Sequence, residues 1–392
     1  MDKSRQDLWS LPSLPLVLAY VAFPLADMTA RTFGRDQYRS WIDGAWLLLC
    51  VLAILQSILR LARPLRFPRL PAGVLIASPI VLILAIVPTL GARFVGVTYA
   101  MEMKPILYIV FAWLWVSAYG FPSKRAFVQA GLYLSALIAG ELVIGSAIWR
   151  ILLRPTGSGE VNYDACLIAL SLCVALAYED IPRYYSLLLF GGVLATFSRT
   201  GAIAALVILL VSRRVPKPAK LLAAITAPSI MLLSFLVRGL QLSVDKIDRY
   251  LMWTSAIQLF TGSPSGLMWG YGVGARLPLS SSVPGGLEDL WLSQAGKLDL
   301  SGVYAFQYHA MWLRILVAWG IIVVALFVAN LVVWTCQSRD PLRRYLALVI
   351  FLEGFSMGVI YLSNVGVPLW ILLLFTCQGV AFPKTLTVRK PA

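Results

Sequence analysis

Histidine occurs once in this 392-residue chain, and charged residues make up only 13% of it. The five cysteines, Cys50, Cys166, Cys173, Cys336 and Cys377, form no CxxC pair and fall in or at the ends of apolar runs. That spacing gives neither a zinc site nor a disulfide framework, and it reads as small packing residues. Acidic residues are scarce too, 18 against 33 lysines and arginines, for a formal net charge of +15. The apolar runs are continuous and lack period-two alternation, which favours helices over a membrane barrel.

What is present is apolar: 59% hydrophobic residues and a mean hydropathy of +0.81. No soluble core of this size needs so much apolar surface. Runs of roughly 15–25 residues suit helices crossing a bilayer core about 30 Å thick. Backbone groups in lipid must be satisfied internally, which again selects helices. The expected class is an all-α polytopic integral membrane protein, a single membrane domain over 1–392. The spans read as 11–30, 41–61, 73–90, 105–120, 126–149, 163–178, 184–198, 200–212, 220–237, 309–334, 345–360 and 366–382. The first has weakly basic flanks and many spans after it, so it reads as a retained helix rather than a cleaved signal.

About twelve spans place both termini on one side, and short basic segments identify that side. They include Arg60 to Arg69, Lys124–Arg125, Arg183, Arg213–Lys220 and Arg339–Arg344, with lysines and arginines in both tails. By the positive-inside rule this side is cytoplasmic. Further arginines fall on short outer segments, among them Arg31, Arg35, Arg93 and Arg150. A scatter on long loops does not account for these. They suggest a positive outer vestibule that concentrates phosphorylated lipids or glycans, rather than a nucleic-acid surface.

Arg199 lies inside the apolar stretch 184–212, in the text Phe197-Ser198-Arg199-Thr200-Gly201. A charge at membrane depth is costly and marks a functional site by default. A single long helix over 184–212 would put the basic loop 213–220 outside. Two short spans joined at Ser198–Gly201 keep it inside and leave Arg199 in a dip below the outer surface. Non-helical backbone there must be buried in protein or line a wet cavity.

The one long connection, 238–308, is expected outside. Its first half predicts a helix capped near Ser243, with Ile247, Tyr250, Leu251, Trp253 and Ile257 as an apolar face lying at the membrane surface. Its second half is rich in Gly, Ser and Pro and contains Gly270-Tyr271-Gly272-Val273-Gly274, without the strand–helix context of a nucleotide-binding loop. His309 follows directly. Helical spacing groups it with Trp312, Leu313, Leu316 and Gly320, and Gly320 lets another backbone approach that face. Histidine suits proton transfer near neutrality, although an interfacial histidine wetted by headgroups is the plainer reading.

Three features coincide in order: Ser198-Arg199-Thr200-Gly201 between short spans; Asp248-Arg249 with Trp253 four residues on and a glycine run after it; and His309 with Leu313, Leu316 and Gly320. Together they resemble the O-antigen ligase superfamily, which includes Wzy-type O-antigen and exopolysaccharide polymerases and some protein O-oligosaccharyltransferases. The resemblance covers roughly 160–325. It implies a glycosyltransferase at the periplasmic face, using a glycan on undecaprenyl pyrophosphate and needing neither nucleotide sugar nor metal nor other cofactor. It further implies that Arg199 and Arg249 bind the pyrophosphate and that His309 is the general base or orients the acceptor. Arg276, after the glycine run, is a candidate third phosphate contact. Trp253 and Gly320 are expected to support the site. Many relatives have Asn after this histidine where the present chain has Ala310.

Arginine suits such a donor because its planar fork can give a phosphate two parallel hydrogen bonds and stays charged. The expected acceptor is lipid A–core, as in a ligase, with a second lipid-linked glycan, as in a polymerase, close behind. A lipid-linked oligosaccharide flippase is the reading from another class, and it would require matching helix breaks in both halves. Glu288-Asp289 could supply a base or a metal site, or be a solvated pair. Glu141 and Glu353, inside spans, are either paired internally or part of a proton path. Asp27 and Asp43 are expected to pair with Arg31 or Arg39 near outer ends.

Overall fold

A computed structural model describes residues 8–32, 39–59, 96–149, 155, 161–237, 248–273, 275–277, 303–304 and 310–377. Helix dominates them. In chain order they form α1 (Leu14–Val17), α2 (Phe23–Thr32), α3 (Arg39–Leu59), α4 (Gly96–Tyr119), α5 (Lys124–Trp149), α6 (Val161–Ala177), α7 (Arg183–Ala195), α8 (Arg199–Val211), α9 (Lys217–Val237), α10 (Asp248–Gly262), α11 (Pro264–Trp269), β1 (Arg276–Leu277), β2 (Val303–Tyr304), α12 (Met311–Cys336), α13 (Pro341–Glu353) and α14 (Ser363–Cys377). β1 and β2 are a two-residue antiparallel pair, with Arg276 opposite Tyr304.

Among the described residues, four helical runs are long and apolar enough to cross a membrane alone: Leu11–Ala30, Lys124–Ile148, Lys217–Phe235 and Met311–Cys336. Shorter apolar helices accompany them, among them Val161–Ala177, Arg199–Val211 and Ser363–Cys377. Leu48, Leu55, Val143, Ile148, Leu221 and Ile225 all stand exposed on outer faces. A surface of that kind fits contact with lipid rather than water. The expected span 73–90 lies outside the described residues.

α6 is the central post. Every residue from Val161 to Leu176 except Tyr163 is buried, as expected of a helix that is apolar all round. Small residues let its neighbours close in. A side chain at Gly131 on α5 would overlap Ser171 on α6, and one at Gly192 on α7 would overlap Ser135 on α5. The Ser171 hydroxyl donates to the Phe127 carbonyl at 2.8 Å. A π turn, Leu18–Ala22, interrupts the first helical run and carries buried Tyr20 to the same place. Its hydroxyl donates to the Leu167 carbonyl at 2.9 Å.

Polar contacts sort the helix ends into two sets. At one end Lys124 pairs with Asp180 at 3.2 Å. Arg214 donates to the carbonyls of Ala175, Tyr178 and Ile181. Arg343 donates to the carbonyls of Thr376 at 2.6 Å and Trp334 at 3.2 Å. Phe375 meets the rings of Phe121 and Tyr178. The turns before α5, after α6, after α8 and before α13, with the end of α14, therefore share one end. It carries the exposed cations Arg125, Arg183, Arg213, Lys217, Arg339 and Arg344. These contacts gather the described basic loops among those that the sequence assigned to one side; Arg60 to Arg69 and the basic tail residues lie outside the described residues. α7 leaves this end and α8 returns to it, so the two run antiparallel.

Several helix boundaries differ from the sequence reading, among them the start of α4 at Gly96 rather than 105. The break near Arg199 is Thr196–Ser198, and Arg199 is already the first residue of α8. Ser198 causes this as N-cap, its hydroxyl accepting from the Gly201 N–H at 3.2 Å. The expected span 345–360 stops at Glu353 and is followed by turns until α14 starts at Ser363. The expected span 309–334 breaks at Gly320, whose φ of 80° is not helical. Trp312, Leu313 and Leu316 therefore share a helical stretch from which Gly320 departs.

Candidate functional site

The end opposite the basic loops gathers irregular backbone. Ser198 Oγ donates to Asn162 Oδ1 at 2.8 Å, fixing the α7–α8 turn on the first turn of α6. There is no room between these elements, since a side chain at Gly201 would strike Ala165. Thr200 Oγ1 and Ser356 Oγ share a hydrogen bond of 2.7 Å, joining the start of α8 to the turn after α13. That turn in turn holds α12. The Trp312 and Met311 amides donate to the carbonyls of Gly354 and Met357, each at 3.1 Å. Helix-start amides have no partner within their own helix, so these bonds satisfy two groups that would otherwise be orphaned.

Arg199 opens α8 on this side, half-buried, its guanidinium 4.3 Å from the centre of the Phe235 ring at the end of α9. A cation over an aromatic face is stabilised by the ring quadrupole. The planar edge of the guanidinium carries the hydrogen-bond donors, so stacking leaves that edge geometrically distinct from the stacked face.

α10 is the predicted helix of the long connection, but it buries a different stripe. Met252, Ala256 and Phe260 are buried against Leu313, Val317 and Ala318 of α12. Ile257, expected on the apolar face, is 57% exposed. The reason is the i, i+4, i+8 register, which turns Met252, Ala256 and Phe260 together toward α12. The expected cap at Ser243 and the flanking Ile247 lie outside the described residues. Trp253 stacks obliquely on Phe355 of the turn after α13, ring centres 6.2 Å apart.

The glycine run that follows is a wedge against the α12 break. Gly320 leaves the helical path, so the carbonyls of Val317 and Ala318 lose their usual acceptor role within the helix. The amides of Tyr271 and Gly272 take that place, donating to Val317 at 2.8 Å and Ala318 at 3.0 Å. Gly320 and Gly270 both have positive φ, and a Cβ on Gly320 would lie 2.6 Å from the Gly270 nitrogen. The close backbone approach at Gly320 is real, with α11 and the Gly270–Gly272 segment as the approaching backbone.

Of the sequence candidates, the structure brings the start of α8 with Arg199, Trp253 and the Gly320 break to this end of the bundle. Arg249 lies in the first turn of α10 and Arg276 in β1, where the backbone alone is described. His309, Glu288 and Asp289 lie outside the described residues. Asp27 is buried, at 1% exposure, within α2. Among the described residues no three His, Cys, Asp or Glu side chains come together as a metal site requires.

Asp164 at this end escaped the sequence reading, whereas Glu353 was named there inside a span. Asp164 and Glu353 are fully buried, and Arg314, read from the sequence as an outer cation, is 5% exposed with its guanidinium 3.7 Å from the Tyr361 ring centre. Ionised groups inside an apolar bundle are costly and need internal partners, so they deserve functional weight. The signal available was Glu353-Gly354-Phe355-Ser356-Met357-Gly358, where a carboxyl, two glycines and a serine interrupt an otherwise apolar run. No family model matches this chain, and neither a curated protein nor a solved structure matches it.

Proposed function

We propose that the protein is an inner-membrane glycosyltransferase that moves a glycan en bloc from undecaprenyl pyrophosphate to an acceptor hydroxyl at the periplasmic face. The acceptor in this reading is lipid A–core, making the protein an O-antigen ligase, and the transfer is metal-independent and inverting. About twelve spans with both termini in the cytoplasm complete it. One observation carries the reading: Arg199 opens a short helix at a buried turn, at the end of the bundle remote from the basic loops.

Length supports that placement. α7, α8 and α13 have 13 residues each. At 1.5 Å per residue each is about 20 Å long, short of a core of about 30 Å. With the basic end at the cytoplasmic surface, Arg199 and the turn after α13 lie below the periplasmic surface. A guanidinium there serves a diphosphate delivered laterally by a lipid carrier.

The chemistry is a displacement at the anomeric carbon. The acceptor oxygen forms a bond to that carbon as the bond to the diphosphate oxygen breaks, with inversion. The electron pair leaves on the diphosphate, where Arg199, joined by Arg249 and Arg276, stabilises the growing charge. The acceptor proton passes to His309, a role that comes from the family resemblance.

Reconstitution tests this. Liposomes containing the protein and undecaprenyl-pyrophosphate glycan receive lipid A–core or a second donor, in the presence of a chelator. The expected result is glycan on lipid A–core. Ladder growth on the lipid carrier would make the protein a polymerase with the same donor chemistry. Translocation without any new glycosidic bond would replace the proposal with a flippase.

A further inference from the structure

The turn Gly354–Met357 meets three separate elements of the candidate site. Through Ser356 Oγ it holds Thr200, the residue after Arg199, at 2.7 Å. Through the carbonyls of Gly354 and Met357 it receives the first amides of α12. Through Phe355 it meets Trp253 of α10 at 6.2 Å and Trp312 of α12 at 6.4 Å. Gly354 makes the approach possible, because a Cβ there would lie 2.6 Å from the Trp312 indole nitrogen and 2.8 Å from the Met311 methyl. Trp312 closes the arrangement by donating its indole N–H to the Phe351 carbonyl at 2.8 Å.

These contacts differ in kind. The amide–carbonyl bonds are backbone bonds and survive substitution of most side chains. The Thr200–Ser356 bond is a side-chain link from the turn to the helix of Arg199. Losing it leaves α8 tethered by Ser198–Asn162 and by packing, and leaves the turn attached to α12. Small displacements matter at a reacting centre, where a misplacement of about 1 Å can cost about a hundredfold in rate.

We infer that the Gly354–Met357 turn is the clamp that sets Arg199 against the start of α12, with Ser356 and Thr200 as its positioning pair. This rests on the glycosyltransferase reading for its kinetic consequence, but not for its structural one. Ser356 touches no reacting atom in this scheme. It acts through Thr200 on the orientation of Arg199, and through the turn on the first residues of α12.

The test uses the full-length protein in liposomes with undecaprenyl-pyrophosphate glycan and lipid A–core. Ser356→Ala and Thr200→Val each lower kcat roughly tenfold, with KM for the donor changed less than about twofold, the size expected when one positioning bond is lost. Ser356→Thr and Thr200→Ser, which keep a hydroxyl, hold kcat near that of the unchanged protein. The double variant Thr200→Val with Ser356→Ala is no worse than either single change, because both remove one bond. Amide hydrogen exchange is read in parallel, and Ser356→Ala accelerates it at Met311 and Trp312 while leaving the middle of α6 protected. Full kcat in both single variants, or additive losses in the double variant, overturns the inference. If the unchanged protein transfers nothing, the glycosyltransferase reading fails, and exchange alone decides the clamp: faster exchange at Met311 and Trp312 supports it, and unchanged exchange overturns it.

Discussion

At the scale of single residues, charge and backbone freedom carry the account. Arg199 was legible because an arginine in an apolar stretch has few ordinary explanations. Its ring contact with Phe235, 36 positions away, was not, since no local pattern in a sequence encodes a tertiary stack. Arg199→Lys keeps the charge but loses the fork that can pair with two phosphate oxygens. In the reconstituted assay it is expected to lose at least about tenfold in turnover, and Arg199→Ala about a hundredfold or more, with the protein still folded and inserted. Turnover near normal in Arg199→Ala would remove this residue from the mechanism. Gly320 was legible as a point of close approach but not as a helix break, because hydropathy reads straight through one glycine. Gly320→Ala places a side chain where φ is 80° and where the Gly270 nitrogen already stands. It is expected to destabilise by roughly 2–3 kcal/mol, seen as a lowered unfolding temperature in detergent.

At the scale of elements, the sequence located most helices to within a few residues and misread the ends that matter. The α7–α8 break was found because Ser-Arg-Thr-Gly is a polar interruption with a capping residue. It was placed slightly late because Ser198 is the cap and Arg199 the first helical residue. The 354–362 turns were missed because Phe355, Met357, Val359 and Ile360 keep the run apolar. What ends α13 is the arriving N-terminus of α12, which takes the carbonyls of Gly354 and Met357. That is a tertiary demand, invisible in local propensity. Ser198→Ala removes the cap from Gly201 and the donor to Asn162. A cost of about 1–2 kcal/mol is expected, together with faster amide exchange in the first turn of α8 and little change in α13.

At the scale of the whole molecule, the basic loops among the described residues gather at one end and the irregular turns at the other. The sequence supplied the side-sorting because short basic loops are held back on one side of a membrane. It did not supply the means by which those arginines also tie the bundle. Arg214 bridges three carbonyls around the end of α6. Arg214→Ala leaves those acceptors to find other partners and is expected to destabilise by about 2 kcal/mol or more, measured by thermal unfolding, with Arg213→Ala, an exposed neighbour, near neutral. The role of His309 stays legible only through the motif order, since that residue lies outside the described ones.

The central claim is that the Arg199 end and the basic end lie on opposite sides of a membrane. Thr261 is exposed beside the wedge on α12, and Arg213 is exposed at the basic end. With Cys50, Cys166, Cys173, Cys336 and Cys377 replaced by alanine, Thr261→Cys and Arg213→Cys can each be probed with a membrane-impermeant maleimide on intact cells whose outer membrane has been opened. The expected result is labelling of Thr261→Cys at once and of Arg213→Cys only after the inner membrane is permeabilised. Labelling of Arg213→Cys from outside, with Thr261→Cys protected until permeabilisation, would contradict the account.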